Sequence, residues 1–269
     1  MSFINANSKS NAIKRIVNLS KRIYREKEGL FFVEGEHTIE EGIKSDYDFA
    51  YIVCSKNYVD NNYHKVKDFM EKKKVSTYLI DNNLMQNISD VVTSRGILAV
   101  VKKKDFTIED IANSNKSHFL LIIDGISDPG NLGTIIRTAH ACNVDGIVLN
   151  KGTVDIFNPK VLRSTAGSAF HVPFTYTGNI VNTIRKLKRA GINIYVTHVN
   201  GVSYPYEINM NEPLAIVLGN ETFGVQEEIS NLANKLIKIP MPGKSESLNV
   251  AIASGIMMYE VVKQRLNNS

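Results

Sequence analysis

The chain has 269 residues, 43% hydrophobic and 22% charged, with a formal net charge of +5. These are the proportions of a soluble globular protein with one large domain or two ordinary ones. No apolar run approaches the roughly 20 residues that span a bilayer, and the opening residues lack the apolar block of a secretory signal. The two distant cysteines, Cys54 and Cys142, have no metal-type spacing; they are expected to be reduced thiols of a cytoplasmic protein, with no zinc site.

The first 27 residues carry seven basic side chains against one acidic one. "NAIKRIVNLSKRIYREKEG" spaces Ile13, Ile16, Val17, Leu19 and Ile23 mostly as a helix does. Lys14, Arg15, Lys21, Arg22, Arg25 and Lys27 fall in or beside it. Such a basic face suits a polyanion such as RNA, although on charge alone a merely solvated helix face is an equal reading. Strand patterns "LFFVEG", "YDFAYIVCS", "VSTYLID" and "GILAVVKK" then alternate with helical ones. They define a compact α/β domain over residues 1–105. The polar run "FTIEDIANSNKS" is expected to be a linker, residues 106–117.

Residues 118–269 form the second expected domain. Strands are expected at Phe119–Asp124, 146–150, 169–173, 192–199, 214–219 and 236–239, with helices between most of them. "FLLIID" and "LAIVLG" are apolar on both sides, so the sheet is expected to be buried, mainly parallel and covered by helices.

Three segments of this domain carry chemistry. In "DGISDPGNLGTIIRTAHACN" the glycines do not follow the dinucleotide spacing, and Asn131 stands where a phosphate-loop lysine would. Leu132, Ile135, Ile136, Ala139 and Cys142 make a core stripe. Arg137 lies about 140° round the helix from Leu132, beside small residues that leave its guanidinium unobstructed. In "PLAIVLGNETFGVQEEI" a buried strand ends at Gly219, placing Asn220 and Glu221 at its carboxyl end, where parallel sheets bind ligands. In "IKIPMPGKSESLNVAIASGIMMYEVVKQR" a helix is expected to start near Ser247, with Ser247 as its N-cap. Its apolar residues run almost all round, so one sheet cannot cover it and a second subunit is the expected cover. Asn249 at its start is costly unless it bonds something.

In order and spacing, "NLGTIIR", "LGNETFG" and "IPMPGKSESLNVAIASG" resemble the motifs of the SpoU/TrmH family of RNA 2′-O-ribose methyltransferases, within the knotted SPOUT superfamily. "LFFVEGEHTIEEGI" resembles the L30e-like substrate-binding domain of two-domain rRNA members. The resemblance implies a C-terminal α/β domain with a deep trefoil knot, a homodimer, and S-adenosylmethionine as cofactor. Cofactor contacts would fall at Thr197, Gly219, Ile239, Met241 and Leu248, and the catalytic set would be Arg137, Asn131, Glu221, Ser247 and Asn249. Arg137 would act as base or electrostatic activator. Lys14, Arg15, Lys21, Arg22 and Arg25 are the candidate RNA contacts. Large-subunit rRNA is the expected substrate, with tRNA and a non-catalytic RNA-binding module as alternatives. A dinucleotide oxidoreductase fails at the loop spacing and at the missing acidic residue after the next strand.

Overall fold

The computed structural model describes residues 3–112 and 118–267. The chain divides into two compact units, one of Met1–Lys104 with Asp155–His171, the other of Asp105–Val154 with Val172–Ser269. The first unit holds β1 (Phe3–Asn5), α1 (Asn11–Leu19), α2 (Arg22–Glu28), β2 (Leu30–Glu34) and α3 (Glu36–Lys44). β3 (Phe49–Ser55), α4 (Lys56–Lys73), β4 (Thr77–Ile80), α5 (Asn82–Ile88) and β5 (Ile97–Lys102) follow. The second unit begins with α6 (Ile108–Ala112), β6 (Phe119–Asp124), α7 (Pro129–Ala141) and β7 (Gly146–Asn150). After α8 (Pro159–Thr165), which belongs to the first unit, come β8 (Phe174–Thr177), α9 (Ile180–Arg189), β9 (Asn193–Thr197) and β10 (Leu214–Gly219). α10 (Glu227–Ser230), β11 (Lys235–Ile237) and α11 (Val250–Leu266) complete it.

The first unit is a five-stranded sheet in the order β1-β4-β3-β5-β2. Its strands β1, β4 and β3 run parallel, and β5 pairs antiparallel with β3 and β2. Ile13, Ile16 and Leu19 of α1 close its core against Phe32, Val53, Leu98 and Val100. Arg25 is the surprise among the candidate RNA contacts. It is buried, its Nε and Nη2 donating to Asp155 Oδ2 at 3.0 and 2.6 Å and its Nη1 to the carbonyls of Leu19 and Ser20 at 2.8 Å each. Every face of the guanidinium is committed, so Arg25 leaves the RNA-binding set and becomes the tie between α2 and the 155–171 segment. Arg25→Ala should destabilise the chain by about 3–5 kcal/mol, because it strands a buried carboxylate. Denaturant titration reads this, and a loss under ~1 kcal/mol would contradict the assignment.

The second unit's six-stranded sheet has the order β11-β9-β10-β6-β7-β8, and every pairing is parallel. β6 and β10 are buried at all six positions, as central strands covered on both faces must be. Each fully buried Leu, Ile, Val or Phe contributes about 1.5–3 kcal/mol, so these two strands dominate the core. The chain starts at β6, runs outward to β8, then returns on β6's other side through β9 and β10. The order therefore reverses between β6 and β10, and a crevice opens at their carboxyl ends. β11 has β9 on one side and the chain leaving β9 on the other. His198 N donates to Ile237 O, Lys238 N donates to Ser203 O (2.9 Å each), and Gly201 has room for no Cβ against the backbone at Ile237.

Three expectations change. Part of the expected linker is helix α6, whose Ile111 joins the second unit's core; residues 113–117 lie outside the described residues. Residues 169–173 are not a strand: Ser168–Phe170 is a 3₁₀ turn, and the Phe170 ring packs against Phe31, Tyr47 and Phe49. The apolarity of "SAF" reflects that packing, and the strand begins only after Pro173. Helix α11 starts two residues later than expected, with Asn249 as N-cap in place of Ser247; Asn249 Oδ1 accepts from Ala251 N at 2.9 Å and Ile252 N at 3.3 Å.

Candidate active site

The crevice is built from the loops that leave β6 and β10. Buried Asp124 ends β6 and fastens its surroundings, accepting from Asn150 Nδ2 (2.7 Å), Gln226 N (3.0 Å) and Gln226 Nε2 (2.8 Å). Gly125, with φ of +78°, turns the chain. Asp128 then caps α7 by accepting from Asn131 N at 2.7 Å, with Pro129 in the first helical turn. On the other side β10 ends at Gly219, where a Cβ would stand 2.2 Å from the Gly224 carbonyl carbon. Only glycine lets the next turn fold back so tightly. That turn is closed by paired backbone bonds between Asn220 and Gly224, 2.9 Å each, and Asn220 Nδ2 pins it to Gly125 O at 2.7 Å.

Glu221 joins the two loops. Its Oε2 accepts from Ser127 N and Oγ, and its Oε1 from Asp128 N, each at 3.2 Å; Oε1 also accepts from Asn131 Nδ2 at 3.1 Å. Asn131 Oδ1 in turn accepts from Asn249 Nδ2 at 2.9 Å. The polarity of this chain runs one way. A carboxylate only accepts, so Asn131 must present its amide nitrogen to Glu221 and its oxygen to Asn249. Asn249 then keeps its own oxygen for the N–H groups that open α11. Desolvation pushes the Glu221 carboxyl up, but the bonds donated by Asn131 and by the backbone of Ser127 and Asp128 outweigh it. The group is held below its ordinary value and is a carboxylate at neutral pH.

Arg137 lies on the exposed side of α7 and makes no hydrogen bond or ion pair among the described residues. The neighbouring hydroxyls do not engage it: Thr134 Oγ1 donates to Gly130 O at 2.8 Å and Thr138 Oγ1 to Thr134 O at 2.9 Å. Leu132, Ile135, Ile136 and Ala139 are fully buried, so the core stripe turns this face outward. Ser247 is exposed and two residues ahead of the N-cap Asn249.

Of the expected cofactor contacts, Thr197 and Gly219 end the neighbouring strands β9 and β10, Ile239 and Met241 lie in the loop after β11, and Leu248 lies just ahead of α11. Thr197 closes β9, its Oγ1 donating to Val217 O at 2.9 Å. Ile239 and Met241 are half-buried and Leu248 is 38% exposed. The backbone N–H groups of these three residues make no hydrogen bond among the described residues. Main-chain donors left free in this way can bind a polar small molecule. Among the described residues no group of three His, Cys, Asp or Glu could hold a metal.

In the first unit Lys14, Arg15, Lys21 and Arg22 are exposed. Arg15 pairs with Glu28 at 2.7 Å and Arg22 with Glu26 at 2.6 Å, whereas Lys14, Lys21 and Lys27 form no ion pair among the described residues. Sequence reasoning missed Asp124, Ser127 and the capping role of Asp128, and it placed Asn220 at the strand end without its role in closing the turn. The run Asp128-Pro129, a cap residue before a proline, was the available signal for one of them.

Known proteins resemble this chain in sequence and in fold. The SpoU rRNA Methylase family matches residues 118–259, and the MRM3-like substrate binding domain matches residues 10–99. The 23S rRNA (guanosine(2553)-2′-O)-methyltransferase RlmP of Bacillus subtilis is 34% identical, over 94% of this chain and 97% of its own. The 23S rRNA (guanosine-2′-O-)-methyltransferase RlmB of Vibrio parahaemolyticus is 31% identical, over 87% and 97%. The crystal structure of an AdoMet-bound rRNA methyltransferase from Sinorhizobium meliloti superposes with a TM-score of 0.87 at 27% identity, covering 97% of this chain and 98% of that one. Fold and site together define an RNA methyltransferase. The chain belongs to the SpoU rRNA methylase family, and it carries the MRM3-like substrate-binding domain ahead of the methylase domain.

Proposed function

We propose that this enzyme transfers the methyl group of S-adenosylmethionine to a ribose 2′-hydroxyl of 23S rRNA in the cytoplasm, on a guanosine as in both relatives. The observation that carries this reading is the Glu221–Asn131–Asn249 chain, which links all three sequence motifs at the switch-point crevice beside an unengaged Arg137. Bound S-adenosylmethionine supplies an electrophilic methyl. The main chain at Ile239, Met241 and Leu248, with Thr197 and Gly219, holds it. A ribose hydroxyl is a poor nucleophile until its proton leaves. Arg137, through its charged planar guanidinium, binds the adjacent phosphate and stabilises the developing alkoxide, while the proton passes to solvent. Asn131 and Glu221 act as positioning residues, because their polar atoms hold each other. Asn249 is similarly occupied, which leaves the Ser247 hydroxyl for phosphate near the α11 N-terminus. Incubation with methyl-labelled cofactor and 23S rRNA should place the label in a 2′-O-methyl nucleoside; label on a base, or none, would overturn the reading.

The same reading includes a knot, a dimer and an RNA-gripping first domain of the L30e kind. Passage of residues 235–238 between β9 and the chain leaving it supports the knot. One side of α11 is buried through Ala251, Ser254, Met257, Met258 and Val261, whereas Ile252, Ile256 and Tyr259 are 56%, 41% and 66% exposed. A second copy of the chain covers that stripe. Sedimentation should show a dimer that Ile252→Asp with Tyr259→Asp converts to monomers; a monomeric parent protein contradicts this. Lys14, Lys21 and Lys27, with Arg15 and Arg22, face RNA phosphate. Changing the three lysines to alanine should lower the slope of log affinity against log salt by about 2–3, at ~0.7–0.9 per phosphate contact. Cofactor affinity should not move.

A further inference from the structure

The turn that carries Glu221 also carries an aromatic ring that packing does not explain. Phe223 is 88% exposed, and the next most exposed aromatic among the described residues, Tyr259, reaches 66%. A ring so placed buries almost nothing in its own chain, so its contribution to the fold is small. Yet its backbone is firmly held. Asn220 Oδ1 accepts from Thr222 N at 2.9 Å and Phe223 N at 3.1 Å, inside a turn already closed by the Asn220–Gly224 pair and pinned to Gly125. Those bonds use only backbone donors at positions 222 and 223, so a polar side chain would serve the turn equally well. What the turn supplies is an aromatic face presented to solvent with little backbone freedom left to lose on binding. Its place in the site is also fixed. Phe223 follows Glu221 by two residues, so their Cα atoms lie within roughly 7 Å. The Glu221 carboxylate is itself bonded to Asn131, on the helix that carries Arg137.

We propose that Phe223 stacks on a nucleobase of the RNA strand that brings the target ribose to Arg137, and that it makes an unpaired, splayed-out base part of substrate recognition. Every base has a π-face, so the contact tolerates sequence but requires a base free of its duplex stack. The phosphate contact at Arg137 and the base contact at Phe223 then hold the two ends of one nucleotide unit, so the base contact adds to RNA binding and leaves the alignment of the ribose to Arg137. The substrate class is accordingly a loop or bulge of folded rRNA, not a continuous helix. This rests on the RNA methyltransferase reading above. The parent enzyme's activity on a 23S rRNA fragment tests that reading separately, before any variant is compared.

The experiment is steady-state methylation of that fragment, with calorimetric cofactor titration and sedimentation as controls. Phe223→Ala should raise KM for RNA about 5- to 150-fold, the ~1–3 kcal/mol of one base–aromatic stack converted at ~1.4 kcal/mol per tenfold. The turnover at saturating RNA, the cofactor affinity and the oligomeric state should stay at the parent values. Phe223→Trp should restore KM and Phe223→Leu should not, because leucine keeps apolar area without a π-face. Annealing a complementary strand over the target loop should erase the difference between the parent and Phe223→Ala. An unchanged KM in Phe223→Ala, restoration by leucine, weakened cofactor binding, or a shift to monomers would each overturn the proposal.

Discussion

Replacing Arg137 with alanine should lower the methylation rate at saturating cofactor and RNA by at least about 10²–10³-fold, the effect of removing one preorganised donor from a developing oxyanion. Cofactor affinity and unfolding midpoint should stay at the parent values. The residue is solvent-exposed on α7 and holds nothing else among the described residues, so its loss leaves no buried group unpaired there. Arg137→Lys should recover only part of the rate, because a lysine keeps the charge but lacks the planar fork that engages phosphate through two bonds. Single-turnover kinetics with preformed complexes separate this from a binding defect. An alanine variant with near-parental turnover would remove Arg137 from the chemistry and leave the site without its electrostatic activator.

Glu221→Gln tests the opposite kind of residue, one that acts through others. In either orientation the glutamine nitrogen must face a backbone N–H, Ser127 N or Asp128 N, which can only donate. The resulting donor–donor conflict should cost about 1–3 kcal/mol of stability. It should also lower turnover up to ~100-fold by letting Asn131 and the loop ahead of α7 drift. The pH profile separates positioning from bulk destabilisation. Because hydrogen bonds hold the Glu221 carboxyl below its ordinary value, its contribution is complete above the unfolded carboxylate range, near pH 4–5. It is lost as pH falls through the depressed folded value. The parent enzyme should therefore lose stability on that acid limb, and Glu221→Gln should lose less. Equal acid slopes in the two proteins would contradict the role given to the carboxylate.

The parts of the fold written in short-range patterns were legible. The 3.6-residue stripe of Leu132, Ile135, Ile136 and Ala139 turned Arg137 outward, and the unbroken apolar runs of β6 and β10 identified central parallel strands. What failed was set by partners far away in sequence. Arg25 looked like one more cation of a basic face, but its partner Asp155 lies 130 residues on, and no local pattern announces that bond. Phe170 read as strand because a buried run looks the same whether it sits in a ladder or packs under another sheet. Ser247 and Asn249 are both good cap residues. Asn249 has the second polar group that reaches Asn131 while its first caps α11, and a serine hydroxyl in that place could not supply both. The motif resemblance identified Glu221, Asn131 and Asn249 as a set. The order of donors and acceptors that makes them one unit is a property of the fold alone.

The most direct measurement is nucleotide-resolution mapping of ribose 2′-O-methylation across 23S rRNA from cells with the gene, without it, and without it but complemented by the parent or the Arg137→Ala chain. The prediction is one guanosine in an unpaired loop that loses its methyl with the gene, regains it with the parent chain, and does not regain it with Arg137→Ala. An rRNA methylation map identical in all four strains would contradict the proposed substrate. Full restoration by Arg137→Ala would contradict the proposed chemistry.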